Sequence, residues 1–353
     1  MNLPAILLVA ASMAAHSTAE FTVTSGTTEA TTSSTEHVSF VKQWTLNSAT
    51  NGDNIDSIDL DLAGRVYVSY VSGLPSGVLG YVNVSGDSQT VVDAVTLNVR
   101  IGNSTSTTLS GYLLTEIFLA SSGIVTDVKS QRSAQVVVED GVLVSSSTTA
   151  ELQVEASGSS AVYVSAASTA VSVRQLQLDA AGTASLQFNV ESVAASEEVQ
   201  IDAQGSAGVA LLASSVEAAT LELEAQNTGT ICISAQTVTA TNYEGRDASR
   251  ISMPNASSKY TSTGTATCDE STVPAREPAC VSSACAGSST SGTPTGTAGS
   301  GASTTATVTT APTTANDDDA NDDDTNDDTN ASSVPHLAAL AAAAIGAVTM
   351  ALL

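Results

Sequence analysis

Four stretches of this chain can be written one beneath another. They read LQVEASGSSAVYVSA from Leu152, LQLDAAGTASLQFNV from Leu176, VQIDAQGSAGVALLA from Val199 and LELEAQNTGTICISA from Leu221. Their starts lie 24, 23 and 22 residues apart. Positions 1 and 3 are always aliphatic, and position 5 is Ala156, Ala180, Ala203 or Ala225. Alternation with period two puts these three positions on one face of a strand. Position 7 is Gly158, Gly182, Gly205 or Asn227. Glycine reaches positive φ freely and asparagine tolerates it, so the chain turns there. A second inward pair follows: Val162 with Val164, Leu186 with Phe188, Val209 with Leu211, Ile231 with Ile233. Val193, Val216 and Val238 form a third apolar column, with Val171 displaced by an insertion.

Three short strands in about 22 residues make one coil of a β-solenoid, stacked about 4.8 Å above the last. A β-sandwich also has regularly spaced strands, but its units need not repeat a residue class at each position. Stacked coils must, because each column packs on itself. The expectation is an all-β chain whose residues 38–243 form a parallel β-helix. Looser matches begin at Val66, Val95, Ile117 and Val136. With them the count is about eight irregular rungs, a rod of roughly 40 Å. Solenoids need covered ends. VSFVKQWTLN, with the single tryptophan Trp44, is the candidate at the first rung. At the last, Cys232 occupies an outward position, and a disulfide from it would pin the following segment over the open end.

The ends of the chain read as addresses. MNLPAILLVAASMAAHSTAE has an apolar core followed by Ser17 and Ala19 at the −3 and −1 positions of a cleavage site, so residues 1–19 are read as a signal peptide. Residues 337–353 carry no charge and would span roughly 26 Å as a helix. Small residues at Asn330-Ala331-Ser332 and a short polar spacer precede them. That combination is the signal for a glycosylphosphatidylinositol (GPI) anchor, attached at Asn330 with residues 331–353 removed, the short spacer leaving Asp328 as the alternative site. Residues 20–37, rich in Thr and Ser, are expected to be disordered. Residues 244–290 hold most of the cysteines and are read as a cap or linker. Residues 291–330, Ser/Thr-rich and then acidic, are read as a disordered, glycosylated stalk.

The net charge is −26, and the chain stays acidic without the eight aspartates between Asn316 and Asp328. Nucleic acid is therefore excluded as a partner class, since phosphate binding needs a basic surface. Cys232, Cys268, Cys280 and Cys285 are even in number in a secreted chain and are expected to pair, with three connectivities open. Their spacing fits no zinc site, and His37 is the one histidine between the two signals. Asn83, Asn103 and Asn255 head N-glycosylation sequons and read as surface positions.

Position 4 of the repeat is always acidic: Glu155, Asp179, Asp202, Glu224. Stacked about 5 Å apart, neighbouring carboxylates repel by about 0.8 kcal/mol even in water. A solvated acidic ridge is the ordinary reading, and Ca²⁺ bound along the row is the sharper one. No other cofactor is called for. Beside it Gln153, Gln177 and Gln200, then Glu222, suggest a ladder of side-chain amides. For catalysis, Arg174 near Asp179 is the nearest thing to a basic-acidic cluster.

The short V-x-V strands broken by small turns, as in YVNVSGDS and VEASGSSAVYVSA, resemble the β-helical head of autotransporter adhesins (the GIN-type head domain). The chain as a whole, with two signals and a Ser/Thr stalk, resembles GPI-anchored wall proteins of fungi and oomycetes. These resemblances imply a non-enzymatic cell-surface adhesin or wall structural protein, held to the membrane by a lipid anchor, with glycans or proteins of a wall or host surface as partners. A glycan-active β-helix enzyme, a polysaccharide lyase or hydrolase, is the alternative.

Overall fold

The computed structural model describes residues 21–49, 54–97, 110–268, 271–282 and 285. The leader at 1–19, Asn103, the stalk with Asn330, and the apolar tail lie outside the described residues.

The chain begins with an antiparallel sheet. Strands β1 (Phe21–Ser25) and β2 (Glu29–Ala30) both pair with β3 (Phe40–Ser48). The long strand β4 (Ser57–Tyr70) comes next in the chain but not in the sheet. Strand β5 (Val78–Gly86) pairs antiparallel with β3. A short helix α1 (Gln89–Asp93) buries Val91 and Val92 against the core. Strand β6 (Tyr112–Leu119) joins the two halves, antiparallel to β5 and parallel to β4. Of the segment 20–37, expected to be disordered from its composition, the described residues 21–37 include two paired strands. Phe21 is buried, and Thr and Ser are no obstacle to a strand that has an edge to pair with.

β4, together with the chain from β7 onward, winds as a parallel β-solenoid of about five turns. The coils are carried by β7 (Asp127–Glu139), β8 (Ser146–Ala156), β9 (Ala161–Gly182), β10 (Ser185–Gly205), β11 (Gly208–Leu212), β12 (Ser215–Ala225), β13 (Thr230–Ser234) and β14 (Thr237–Arg246). Each repeat crosses three faces. The first carries Leu152, Leu176, Val199 and Leu221 in one register column. The second carries Val162, Leu186, Val209 and Ile231. The third carries Val171, Val193, Val216 and Val238. All twelve are buried.

The corner between first and second faces shows why position 7 is restricted. Gly158, Gly182, Gly205 and Asn227 all have positive φ, and Arg132, one turn earlier, joins them at 63°. The corner amides of Thr183, Ser206 and Thr228 donate to the carbonyls of Gly158, Gly182 and Gly205 at 2.7–2.8 Å. A Cβ on Gly182 or Gly205 would stand 2.7 Å from the carbonyl oxygen of the glycine one turn below. At Gly182 and Gly205 backbone stacks on backbone, leaving no room for a side chain, whereas Arg132 and Asn227 carry one at the same corner in other turns.

There are fewer turns than the eight rungs expected. Val66 and Val136 do lie in coils, on β4 and β7. Ile117 lies on β6, whose other neighbour is antiparallel, and Val95 lies in the coil after α1. V-x-V alternation specifies a strand and its faces, but not the direction of its neighbour. The solenoid also runs past residue 243. β14 reaches Arg246, and β15 (Ile251–Ser252) adds to β13 in parallel. Helix α2 (Ser257–Tyr260) then closes the last turn. Tyr260 accepts from the Ala240 amide at 2.9 Å and donates to the Val238 carbonyl at 3.2 Å, and Asn255 donates to the Ala235 carbonyl at 2.9 Å. Side chains thereby satisfy part of an edge that would otherwise pair with another strand. A final strand β16 (Ala279–Cys280) pairs antiparallel with β6, at the other end of the coil.

Candidate functional site

The parallel register gathers the predicted acids on the outside of the first face. Glu155 lies opposite Asp179, Asp179 opposite Asp202, and Asp202 opposite Glu224. The column continues at both ends with a base: Lys129 opposite Glu155, and Arg246 opposite Glu224. Arg246 holds both oxygens of Glu224 at 2.7 and 2.8 Å. Lys129 lies 3.9 Å from Glu155 and 3.6 Å from Asp127. The four acids line a shallow open cleft of about 300 Å³ with Gln204 and Gln226.

The middle of the row is where charge is hardest to hold. Burial, then the neighbouring carboxylates, raise the Asp179 and Asp202 carboxyls above their ordinary value. The glutamine column answers this in part. Gln177 donates to Asp179 at 2.8 Å, and Gln200 to Asp202 at 2.9 Å. Gln153 reaches across to Asp179 at 3.3 Å. Gln177 and Gln200 thus bond to acids two residues along their own strands, where a ladder of side-chain amides was expected. Glu222, where glutamine gives way to acid, is also raised, by its partial burial and then by Glu198, Glu244 and Asp202.

A cation site needs ligands that converge on a point. The acids here are strung one per turn, and among the described residues no three His, Cys, Asp or Glu side chains gather to hold a metal ion. Arg174 does not join Asp179. It bridges Glu151 and Glu197, the latter at 2.7 Å. Arginine on two exposed glutamates is a surface network of modest worth, and the basic-acidic cluster expected for glycan chemistry is not assembled.

Two sequons are described. Asn255 is exposed, although its amide donates to the Ala235 carbonyl. Asn83, expected at the surface, is 5% exposed on β5 and accepts from Gln43 at 2.8 Å. A glycan there would have to displace that packing.

The cysteines pair as Cys232–Cys268 and Cys280–Cys285. The first bond closes off the segment that holds β15 and α2 against the last turn. Past Cys268 the chain becomes a strap that runs back along the outside of the second face, towards its first strands. The path follows one outward row, in which strand register sets Cys232, Ala210, Gln187, Tyr163, Val137, Tyr67 and Glu116 side by side. The Gln187 amide grips the backbone of Ser271, accepting from its N–H at 2.6 Å and donating to its carbonyl at 3.4 Å. Val273 packs with Tyr67, Leu114, Val137 and Tyr163. The Tyr67 hydroxyl donates to the Pro274 carbonyl, and Arg65 donates to the carbonyls of Ala275 at 2.7 Å and Glu277 at 3.2 Å. Arg276 clasps the far end. It reaches Glu116 at 3.1 Å, Glu139 at 2.7 Å and the Ser69 hydroxyl at 2.8 Å, and it stacks 4.7 Å from the Tyr67 ring. Burial raises the Glu116 carboxyl although Arg276 opposes the shift.

Sequence reasoning saw only Cys232 of this row. Its signal was present: the residue between the two inward positions of the second strand should be polar, yet it is Tyr67, Val137 and Tyr163 in successive turns. Three such outward residues at one register position announce that something covers them.

No family model, no curated protein and no solved structure matches this chain.

Proposed function

We propose that the chain is a GPI-anchored surface protein whose solenoid is a binding or structural module of a cell wall or cell surface, with no chemistry of its own. The observation that supports this best is the repetition of the exposed first face. Gln177 and Gln200, Asp179 and Asp202 present the same polar pair in two successive turns, in an open cleft rather than an enclosed pocket. A periodic polar rail suits a repetitive ligand, such as a polysaccharide or a wall glycoprotein, better than a single small substrate. The glycan-active alternative rests on Arg174 acting with Asp179, and Arg174 is engaged elsewhere.

The test uses the full chain displayed on eukaryotic cells. Release by a phosphatidylinositol-specific phospholipase, with the peptide after Asn330 missing by mass spectrometry, is the expected result for the anchor. Retention with Leu353 still present would overturn it. Adhesion of these cells to wall material should survive Asp179→Asn and Arg174→Ala taken singly. Glycan cleavage abolished by either substitution would establish the enzyme instead.

A further inference from the structure

A solenoid is ordinarily a one-dimensional object. Each turn touches only its neighbours, so terminal turns open first and the middle last. The strap breaks that rule here. It is bonded covalently to the last turns through Cys232–Cys268. It is held midway by Gln187 on β10 and by Tyr163 on β9. It ends on the first strands, where Arg276 meets Glu116 of β6 and Glu139 of β7. Beyond Arg276 it becomes a strand of the sheet itself, pairing Ala279 with Leu113 and Cys280 with Tyr112.

We propose that this strap couples the last turn of the solenoid to the first, so that the coil opens as one cooperative unit and does not fray from its C-terminal end. β13 has the two-residue strand β15 as its outer neighbour, and the first-face half of β14, Asn242–Arg246, is largely exposed. By local contacts alone these strands are the place where opening should begin. With the strap seated, moving β13 away drags Cys268, and through it the segment whose arginine is clasped on β6 and β7. Opening the last turn then either breaks the clasp or strains the strap. The clasp includes Glu116, whose side chain is 6% exposed, and stripping a buried carboxylate of its guanidinium is costly.

The experiment is backbone hydrogen exchange on the full chain, comparing wild type with Arg276→Ala and with Cys232→Ser/Cys268→Ser. In wild type, β13 and the Thr237–Ala240 part of β14 should be as protected as β9 and β10. Both variants should speed exchange in β13 and β14 by about tenfold or more, with β9 and β10 little changed. Arg276→Ala is the discriminating variant, because its side chain lies on β6 and β7 and touches neither β13 nor β14. Fraying in wild type, with protection falling towards β14, would overturn the proposal. So would an Arg276→Ala profile that changes only around residues 271–282 and β6. Should the double serine variant fail to fold, the arginine variant decides alone.

Discussion

The first and second faces of this solenoid are built by the same repeat and end up in opposite conditions. Inside, they are equivalent. Leu178 and Phe188 sit on the first and second faces of one repeat, and neither is exposed to solvent. Outside, the first face is a bare rail of carboxylates and amides, whereas the second is roofed by a strap of the chain's own backbone. The difference lies in a single outward position. Asp179 and Asp202 at that position on the first face repel one another and favour water; Tyr67, Val137 and Tyr163 on the second offer a strip that is best covered. Inward columns make a solenoid, and outward columns decide what the solenoid meets.

The largest effects should come from the interior both faces share. Phe188→Ala should cost about 3–5 kcal/mol and Leu178→Ala about 2–5 kcal/mol, read by urea denaturation at constant m-value. A loss confined to one of the two would mean that the faces are not equivalent inside. Next comes the corner between them. Gly205→Ala places a Cβ against the Gly182 carbonyl at positive φ, and should destabilise by about 1–3 kcal/mol from backbone strain, with the clash in addition. The comparable change at Asn227, which already carries a side chain at φ 58°, should cost less. Equal losses at both would refute the stacking account.

The smallest effect separates the outsides of the faces, and its sign is informative. The folded-state carboxyls of Asp179 and Asp202 are raised above their unfolded value, so in the window just above ordinary aspartate titration the folded state binds more protons. Their contribution to stability therefore falls as pH rises through that window and recovers on acidification. Asp179→Asn/Asp202→Asn should be more stable than wild type at neutral pH, by under about 1 kcal/mol because solvent screens a half-exposed row. That advantage should shrink as the pH is lowered towards 4. Thermal melts at several pH values measure it. An advantage growing towards acid would mean that the aspartates are stabilised as charges, and the rail would need another explanation.

Much of this was legible in the residues. The repeat from Leu152 to Ala235 predicts the three inward columns and the glycine corner, because stacking makes each column sample one environment many times. The acid column was legible for the same reason, down to its four members. The strap was not. Residues 271–282 contain Ser, Thr, Pro and only scattered apolar side chains, so nothing local marks them as structured. Their order comes from tyrosine, glutamine and arginine side chains far away in sequence, such as Tyr67, Gln187 and Arg65. Likewise Asn83 heads a sequon like any other, and only its place among packed strands buries it. The antiparallel start of the chain escaped for a related reason, since alternation is blind to strand direction.

By itself, then, the sequence determined which residues face inward and where the coil must turn, because hydrophobic period and glycine conformation are properties of a few neighbouring residues. The tertiary structure decided the number of turns, the cysteine partners and which outward face stays open. Those depend on contacts between segments as much as 212 residues apart, as between Arg65 and Glu277, and pairing across such distances leaves no periodic trace in the chain.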